Sequence, residues 1–322
     1  MSLVIPDWAA SAPLQPLHLD WLEAAGVEVA VLRLDLIDPL ISGNKWFKLQ
    51  HHLRAASAAG AQGVISLGGA HSNHLHALAA AGRRFGFATV GLLRGTPQDT
   101  PTVRDLQHFG MDLHWLGYGG YRARHEAGFW MPWRERYPDF HCVPEGGGGL
   151  PGALGCVDLV SQARAQLPAL GWADYHGWWL ACGTGTTLAG LVLGEQGARP
   201  VYGAMAVPHG HGVAEQVASI LQDARVTMGG YELLDVSRGG FARVDDELLA
   251  FLQATEVASG LPLEPVYTAK ALIALRHQVQ AGYFARGSRV LFVHTGGLQG
   301  REAALALRRP AGGSAAAGYT DS

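Results

Sequence analysis

The sequence predicts an α/β fold of two open, largely parallel twisted sheets flanked by helices. Short runs rich in β-branched residues alternate with Ala- and Leu-rich stretches, the pattern of strands joined by crossover helices. The chain has 322 residues, 48% hydrophobic and 16% charged, so it can bury a large core and is expected to form two lobes. Three loops of small residues each follow a strand, and open α/β sheets bind their ligands at such loops.

The first half of the chain is expected to form a small domain over residues 46–154. Its predicted elements are, in order, strand 63–68, helix 73–86, strand 87–93, helix 102–110 and strand 112–117. The first three form one βαβ unit. The Gly- and Pro-rich run 144–155 is predicted to be a loop and a domain boundary, because these residues interrupt both helices and strands.

The second half alternates in the same way and is expected to form a large domain over residues 1–45 and 155–308. Its predicted elements are helix 157–167, strand 178–182, helix 188–197, strand 201–207, helices 246–260 and 269–282, and strand 289–297. The small and polar residues 309–322 predict a disordered tail.

Charge and composition exclude several classes of protein. The net charge is -3 and the pI about 6.6, without a run of like charges that would attract nucleic acid or an anionic membrane. No secretory signal or membrane-length apolar run is evident, which predicts a cytoplasmic protein. Cys142, Cys156 and Cys182 are scattered and odd in number, as expected for reduced thiols. The histidine pairs lack ligand-spaced partners, so no metal site is predicted.

Residues 68–74 (GGAHSNH) form the first loop that follows a strand. Ser72 and Asn73 can begin the next helix while its free N–H groups bind an anion. From this loop alone, the plain role of Ser72 as the helix N-cap is favoured over a ligand contact. The last such loop, residues 294–297 (HTGG), either presents the Thr295 hydroxyl to a ligand or is an ordinary turn.

Residues 182–187 (CGTGTT) have the composition of a phosphate-binding loop. They expose backbone N–H groups and three hydroxyls at a helix N-terminus. A dinucleotide fingerprint would need glycine where Leu188 stands, and a nucleotide P-loop would need a lysine here. The single phosphate of a small cofactor therefore fits better than a nucleotide, although an ordinary tight turn explains the loop equally well.

Residues 42–49 (SGNKWFKL) place two lysines beside aromatic side chains after a Gly-Asn turn. Burial lowers the pKa of a lysine and makes its amine nucleophilic. A nucleophilic amine together with the phosphate loop and the anion site indicates pyridoxal 5'-phosphate (PLP), a phosphorylated aldehyde held as a Schiff base. These residues alone do not rank Lys45 above Lys48.

Five motifs in one order resemble the 1-aminocyclopropane-1-carboxylate (ACC) deaminase and D-cysteine desulfhydrase family, over roughly residues 10–305. They are SGNKWFKL, GGAHSNH, CGTGTTLAG, PVYTAK and HTGG. The resemblance implies the tryptophan-synthase-β-like fold, PLP fold type II, with the cofactor between the two domains. It also implies a homodimer.

The resemblance assigns a role to each site residue. Lys45, which directly follows Gly-Asn, would form the Schiff base and then act as the base for the α-proton, while Lys48 would be a solvated neighbour. Asn73 would bond the cofactor 3'-oxygen, and Tyr267 would lie over the reacting face and act catalytically with Lys45 and Ser72. The phosphate would be held by Gly183, Thr184, Gly185, Thr186 and Thr187. The substrate would be bound by His71, Ser72, Asn73 and Tyr267.

Two threonines favour one substrate within this family. ACC deaminases carry Glu after the tyrosine and Leu after the last strand's histidine, whereas this chain has Thr268 and Thr295, as D-cysteine desulfhydrases do. A carboxylate beside the pyridine nitrogen deepens the electron sink, and a hydroxyl does not. We therefore expect β-elimination from a small D-amino acid such as D-cysteine, giving pyruvate, ammonia and sulfide. ACC deamination to 2-oxobutanoate and ammonia is the alternative.

Three residues depart from the family pattern, and two other functional classes stay open. His71, Phe47 and Ala269 stand where Gln, Arg and Gly are usual. His71 could alter the site of the substrate carboxylate. A serine hydrolase would use Ser72 with His74 as its base, although the G-x-S-x-G elbow is missing. A non-catalytic binder of PLP or an amino acid would use the same loops.

Overall fold

The computed structural model describes residues 3–5, 8–226 and 229–306 of the chain. The strands are β1 (Leu14–Leu17), β2 (Glu28–Arg33), β3 (Gly63–Gly68), β4 (Ala88–Leu93), β5 (Asp112–Trp115), β6 (Phe140–Cys142), β7 (Gly177–Cys182), β8 (Val201–Met205), β9 (Tyr231–Asp235) and β10 (Arg289–His294). The helices are α1 (Asp20–Ala25), α2 (Asn44–Ala58), α3 (Asn73–Phe85), α4 (Pro101–His108), α5 (Gly117–Arg122), α6 (Met131–Arg136), α7 (Gly149–Gln166), α8 (Thr186–Glu195), α9 (Val213–Asp223), α10 (Asp246–Ser259), α11 (Thr268–Gln280) and α12 (Arg301–Ala306). Short 3-10 turns include Leu34–Leu36 and Glu145–Gly147.

The strands form two separate sheets. One has six strands in the order β1-β2-β10-β7-β8-β9, and the other has four in the order β5-β4-β3-β6. Neighbouring strands are parallel except β1, which pairs antiparallel with β2. The predicted α/β fold with two largely parallel sheets is therefore confirmed. Strands β1, β2, β6 and β9 were not predicted. The four residues of β1 include a proline and show no alternation of apolar and polar side chains.

Two central strands show why helices must cover both faces of each sheet. Every residue of β3 and of β7 is buried, as expected for strands of a parallel sheet. Successive side chains of β7 enter different cores: Trp178 donates its indole N–H to Glu195 Oε1 at 2.6 Å, and Trp179 donates to the Ala271 carbonyl at 2.8 Å. The sheet therefore separates two hydrophobic layers.

The two sheets use different parts of the chain. All strands of the four-stranded sheet lie between residues 63 and 142, whereas the six-stranded sheet uses strands from both sides of that segment. The domain boundaries proposed from the sequence stay a prediction. The predicted tail, residues 309–322, lies outside the described residues. Within the described part of the chain, no helix is both long and apolar enough to cross a membrane.

The prediction that residues 144–155 form a loop is wrong from Gly149 onward, where α7 begins and continues through the rest of the segment. Residues 144–148 form a turn that includes the short 3-10 stretch Glu145–Gly147. The glycines of α7 permit close helix packing: a Cβ on Gly152 would lie 1.9 Å from the Gly147 carbonyl oxygen, and one on Gly155 would lie 1.8 Å from that of Phe47. The composition that indicated a loop instead lets α7 approach α2.

Candidate active site

The segment before Lys45 is bonded to two of the predicted ligand-binding loops. Gly43 has φ +80°, and a Cβ there would lie 2.4 Å from the Thr295 carbonyl oxygen, so this close turn requires glycine. The Asn44 N–H donates to the same carbonyl at 3.1 Å. The Asn44 side-chain amide donates to Thr187 Oγ1 at 2.9 Å. Lys45 therefore lies in the first turn of α2, whose first residue, Asn44, is bonded to the loops that follow β7 and β10.

The amine of Lys45 is suited to act as a nucleophile. It is half-buried, and its Nζ donates to Asn44 Oδ1 at 2.8 Å. Burial lowers the pKa of Lys45 from 10.5 to about 8, while attraction to Cys156 and Glu264 opposes the shift. A sizeable fraction of the amine is therefore neutral near physiological pH.

Lys48 is not the solvated neighbour that the sequence suggested. Its side chain is 2% exposed, and its Nζ donates to Thr184 Oγ1 at 3.3 Å. Burial, followed by the charge of Lys45, lowers the pKa of Lys48 to about 7. The helical repeat of α2 brings Lys48 and Lys45 to the same face, one turn apart. Lys48 thus adds an amine to the predicted phosphate loop.

The loop after β7 forms a cradle of small residues. The hydroxyls of Thr184 and Thr186 are hydrogen-bonded to each other at 3.0 Å. Gly185 has φ +72°, and a Cβ there would lie 2.4 Å from Val217 Cγ2. No side chain caps the start of α8, so its N–H groups can bind an anion together with the hydroxyls and Lys48.

Ser72 and Asn73 begin α3 at the end of β3. The Ser72 hydroxyl accepts the Leu75 N–H at 3.2 Å, so its role as an N-cap is present whatever else it binds. Asn73 Oδ1 accepts from Gln299 Nε2 at 3.0 Å. A Cβ on Gly297 would lie 3.0 Å from Asn73 Nδ2. Loops from the two different sheets therefore meet at Asn73.

Tyr267 lies against the phosphate loop. It precedes α11, and a Cβ on Gly183 would lie 3.1 Å from its ring carbon Cε1. Burial, assisted by Glu264 and Glu145, raises the pKa of the Tyr267 phenol, which therefore keeps its proton. The ring of Phe241 packs edge-on against Tyr267 with centroids 5.5 Å apart. The sequence did not indicate this contact.

A buried lysine holds the loop that carries Phe241. Lys270 is fully buried on α11, and its Nζ donates to the carbonyls of Ser237, Gly240 and Phe241 at 2.8, 2.8 and 2.9 Å. The ammonium therefore joins this loop to the helix that begins after Tyr267.

The two threonines chosen from the sequence have different surroundings. Thr268 is fully buried, and its Oγ1 accepts the Glu264 N–H at 2.9 Å and donates to the Glu264 carbonyl at 3.2 Å. Thr295 is half-buried, and its hydroxyl makes no hydrogen bond with any residue in the described ranges. Of these two threonines, Thr295 is therefore the one whose hydroxyl can bind a ligand.

The Glu264 carboxylate is already occupied by backbone donors. It accepts the N–H groups of Val266, Tyr267 and Thr268 at 2.8, 2.6 and 2.6 Å. Burial raises its pKa, and these hydrogen bonds oppose that shift. Its role in the structure is to hold the turn that precedes α11.

Glu145 is a second residue near the site that sequence reasoning missed. Its carboxylate accepts from the Tyr121 hydroxyl at 2.5 Å and from Arg124 Nε at 2.7 Å. A Cβ on the next residue, Gly146, would lie 3.7 Å from Lys48 Nζ and 3.5 Å from Thr184 Cγ2. The turn thus lies beside the phosphate loop at Gly146, while its acidic side chain is held by Tyr121 and Arg124.

His71 is exposed to solvent, whereas the other predicted site residues are partly or fully buried. Its side chain is exposed, and no hydrogen bond joins it to the other predicted site residues within the described ranges. Partial burial lowers its pKa. It lies beside Ser72 in the chain, where a ligand of the α3 N-terminus could reach it.

Two other kinds of site were weighed from the sequence. His74 Nε2 is bonded to Ser66 Oγ at 2.8 Å, so its ring is not paired with Ser72 as a serine hydrolase would need. Among the described residues, no cluster of three or more His, Cys, Asp or Glu side chains could hold a metal ion.

The assembled residues fit a phosphorylated aldehyde. The α8 N-terminus, Lys48 and the Thr184–Thr186 hydroxyl pair suit a phosphate. The amine of Lys45 suits the aldehyde because burial lowers its pKa. This fit rests on the donor set, and Gly185 allows the turn itself, because its φ is +72° and a Cβ there would lie 2.4 Å from Val217 Cγ2.

Comparisons with known proteins point to the same cofactor. Residues 10–296 match the family model described as pyridoxal-phosphate dependent enzyme. A Pyrococcus horikoshii protein, named provisionally as an ACC deaminase, is 28% identical over 288 residues, covering 85% of this chain and 86% of that protein. The bifunctional D-cysteine desulfhydrase/ACC deaminase of Arabidopsis thaliana mitochondria is 26% identical over 302 residues, covering 85% and 73%. A crystal structure of an ACC deaminase homologue matches with TM-score 0.78 and 25% identity, covering 95% of this chain and 96% of that one.

Proposed function

Because this chain belongs to the pyridoxal-phosphate dependent enzyme family, we propose that it eliminates the β-substituent of a small D-amino acid such as D-cysteine. The products would be pyruvate, ammonia and sulfide. The coarser function, PLP-dependent deaminating elimination, agrees with the names of its relatives. The choice of substrate rests on one observation: the site offers the Thr295 hydroxyl, while the nearby Glu264 carboxylate accepts three backbone N–H groups that hold it in the turn before α11.

We propose that three parts of the site hold the aldehyde, the phosphate and the 3'-oxygen of the cofactor. Lys45 would bind its aldehyde, and the phosphate would lie between Lys48 and the hydroxyls of Thr184 and Thr186, against the N–H groups of α8. Asn73 would bond the 3'-oxygen, because its side-chain amide lies where the loops of both sheets meet. When bound there, PLP withdraws electrons from the α-carbon of the substrate.

Lys45 and Tyr267 would move the protons of the reaction. The neutral amine of Lys45 can accept the α-proton, because its pKa of about 8 lies near the working pH. Tyr267 keeps its proton because burial raises its pKa, so its hydroxyl can donate to a departing thiolate. Because the Tyr267 hydroxyl can donate a proton in the site, the β-substituent can leave as an anion such as a thiolate.

Thr295 is the better partner for the pyridine nitrogen. The Thr268 hydroxyl is engaged at both its donor and its acceptor position by the backbone of Glu264. A hydroxyl partner leaves the ring nitrogen closer to neutral than a carboxylate would. Expelling a thiolate needs a weaker electron sink than opening a cyclopropane ring, which favours the cysteine-type substrate.

Ser72 and the N-terminus of α3 would hold the substrate carboxylate. The Ser72 hydroxyl accepts one backbone N–H and still has a proton to donate. The free N–H groups of the first turn add the positive end of the helix dipole. His71 would lie at the outer side of this carboxylate and contact the substrate there.

ACC is the second candidate substrate, since the names of several relatives include ACC deaminase. The test is a parallel assay of the PLP-loaded protein on D-cysteine, L-cysteine, D-serine and ACC. We expect the largest kcat/KM for D-cysteine, measured as pyruvate and sulfide. Lys45→Ala is the negative control for each substrate. Faster formation of 2-oxobutanoate from ACC would overturn the choice of substrate but not the cofactor.

A further inference from the structure

A buried cluster of charges lies directly behind the site. His294, the last residue of β10, places Nδ1 3.1 Å from Asp35 Oδ1, and the two side chains are 0% and 1% exposed. Arg33 holds the same carboxylate with two bonds, Nε to Oδ1 at 2.9 Å and Nη2 to Oδ2 at 2.6 Å. Burial alone would raise the pKa of Asp35, but the bonds from His294 and Arg33 lower it well below its usual range. Asp35 is therefore ionised.

The contacts of His294 indicate a proton on each ring nitrogen. Nε2 lies 2.7 Å from the carbonyl oxygen of Pro262, which can only accept, so Nε2 must donate. Nδ1 faces an ionised carboxylate, which also only accepts. The Gly296 N–H donates to Nδ1 at a longer 3.3 Å, a contact that instead favours a bare Nδ1. A bare Nδ1 would direct its lone pair at the closer carboxylate oxygen.

An imidazolium at His294 would lie near two buried carboxylates. Asp35 is also paired with Arg33, and Glu264 also attracts the amines of Lys45 and Lys270. After burial and the backbone hydrogen bonds, the charge of His294 is the next influence on the pKa of Glu264, which it lowers. Buried charges are tolerated only when they are paired and hydrogen-bonded.

His294 joins the three segments that carry the proposed chemistry. Asp35 lies in the turn that is bonded to the lysine segment, through Ser42 Oγ to the Asp35 carbonyl at 3.3 Å. Pro262 lies shortly before Tyr267 in the chain. Thr295 follows His294 directly, and its carbonyl accepts the N–H of the residue before Lys45 at 3.1 Å.

We propose that His294, held as an imidazolium between Asp35 and Pro262, is a positioning residue that sets Lys45, Tyr267 and Thr295 relative to one another. This inference rests on the proposed function, in which those three residues contact cofactor or substrate. His294 itself acts through the backbone and does not touch the reacting atoms. An error of about 1 Å in such positioning lowers turnover by about a hundredfold.

The protonation of His294 can be measured without cofactor or substrate. The test is ring-nitrogen NMR on protein labelled with 15N-histidine, at neutral pH, with His294 assigned by its loss in His294→Gln. We expect both ring nitrogens to carry protons in the unmodified protein. A His294 ring with one bare nitrogen would overturn the proposal. This result holds whether or not PLP binds, so it is separate from any failure of the proposed function.

The positioning role is tested with Asp35→Asn and a matched control. Glu195→Gln is the control, since Glu195 is also a buried carboxylate, bonded by Arg164 at 2.7 Å with 1% of its side chain exposed, at the far end of α8. We expect Asp35→Asn and His294→Gln to lower kcat about tenfold to a hundredfold with little change in KM, and to shift the absorbance maximum of bound PLP. Glu195→Gln should lower Tm alone.

Two outcomes would count against the positioning role. One is that the folded Asp35→Asn and His294→Gln proteins keep the absorbance maximum and kcat of the unmodified protein, and the other is that Glu195→Gln changes both as much as they do. If Asp35→Asn does not fold, His294→Gln and the NMR measurement still decide. Failure of the unmodified protein to bind PLP would reject the proposed function and leave the NMR result standing.

Discussion

Lys45 and Lys48 differ in their partners although they lie one helical turn apart. Lys45 Nζ is bonded to Asn44, within its own segment, whereas Lys48 Nζ reaches Thr184 in the phosphate loop. The pKa of both amines is lowered, to about 8 and about 7, with burial as the largest cause. The lowered pKa therefore does not distinguish the roles of the two lysines. Their positions do, because only the Lys48 amine is hydrogen-bonded to the phosphate loop.

The lowered pKa of Lys45 predicts how PLP binding depends on pH. Only the neutral amine attacks an aldehyde, so we expect the binding rate to rise about tenfold per pH unit below about pH 8 and to level off above it. With an exposed lysine, the binding rate would continue to rise to about pH 10. Stopped-flow absorbance on cofactor-free protein measures the rate. Borohydride reduction and peptide mapping should place the label on Lys45, and a label on Lys48 would contradict the assignment.

Lys48→Met should weaken PLP binding without abolishing the covalent bond. The loss of one charged hydrogen bond, worth about 1.5–3 kcal/mol, corresponds to a rise in Kd of about tenfold to a hundredfold. Pyridoxal, which has no phosphate, is the matched ligand and should bind the variant and the unmodified protein alike. Equal losses for both ligands would show that Lys48 does not contact the phosphate.

Helices α2 and α7 are in such close contact that their glycines are part of the site's construction. Gly155 of α7 lies against the Phe47 carbonyl of α2, the helix that carries both lysines. A side chain at this position would push α2 away from the phosphate loop. Packing between two helices therefore controls the distance between Lys48 and Thr184.

Gly155→Ala should destabilise the protein and weaken PLP binding together. The added Cβ would lie 1.8 Å from a backbone oxygen that cannot rotate away, and overpacking of this kind costs about 1–3 kcal/mol. Gly119→Ala is the control, because a Cβ there meets nothing within 4 Å and should change the free energy of unfolding by no more than about 1 kcal/mol. Urea unfolding measures both. Equal stability of the two variants would refute the close contact.

The sequence predicted helices and strands better than it predicted the contacts between them. Strand β3 and helix α3 were found from periodicity, because local patterns of apolar residues decide both. The glycines after residue 144 were read as a loop, since local composition does not show that a helix packs against their Cα atoms. The same limit explains why Glu145 was missed: its partners Tyr121 and Arg124 lie more than twenty residues away in the chain.

The whole molecule brings the site together from both sheets. Lys45 and the loops after β7 and β10 belong to the six-stranded part, while Ser72 and Asn73 follow β3 of the other sheet. The bond between Gln299 and Asn73 joins the two groups of loops. We propose that the predicted domain boundaries and the homodimer hold for this chain, on the strength of the family resemblance.

A cofactor held by segments of both sheets should stabilise the whole fold. PLP at about 100 times its Kd adds about 2.7 kcal/mol to the free energy of unfolding, which raises Tm by several degrees, at about 2–4 °C per kcal/mol. Calorimetry with and without PLP measures the shift. Lys45→Ala should show a smaller shift because the covalent bond is lost. An unchanged Tm in the unmodified protein would contradict a PLP site between the sheets.

Amino-acid order alone predicted the α/β fold, six of the ten strands and six of the twelve helices that the described residues form, the loops that follow them, and the cofactor. These features follow from local periodicity, from glycine-rich turns and from motifs a few residues long. Tertiary structure alone decided that Lys48 reaches Thr184, that the Thr268 hydroxyl is engaged while that of Thr295 is free, and that His294 meets Asp35. The contacts of Lys48 and His294 join residues 136 and 259 positions apart, and the burial and side-chain direction of the threonines likewise depend on packing that no short stretch of sequence contains.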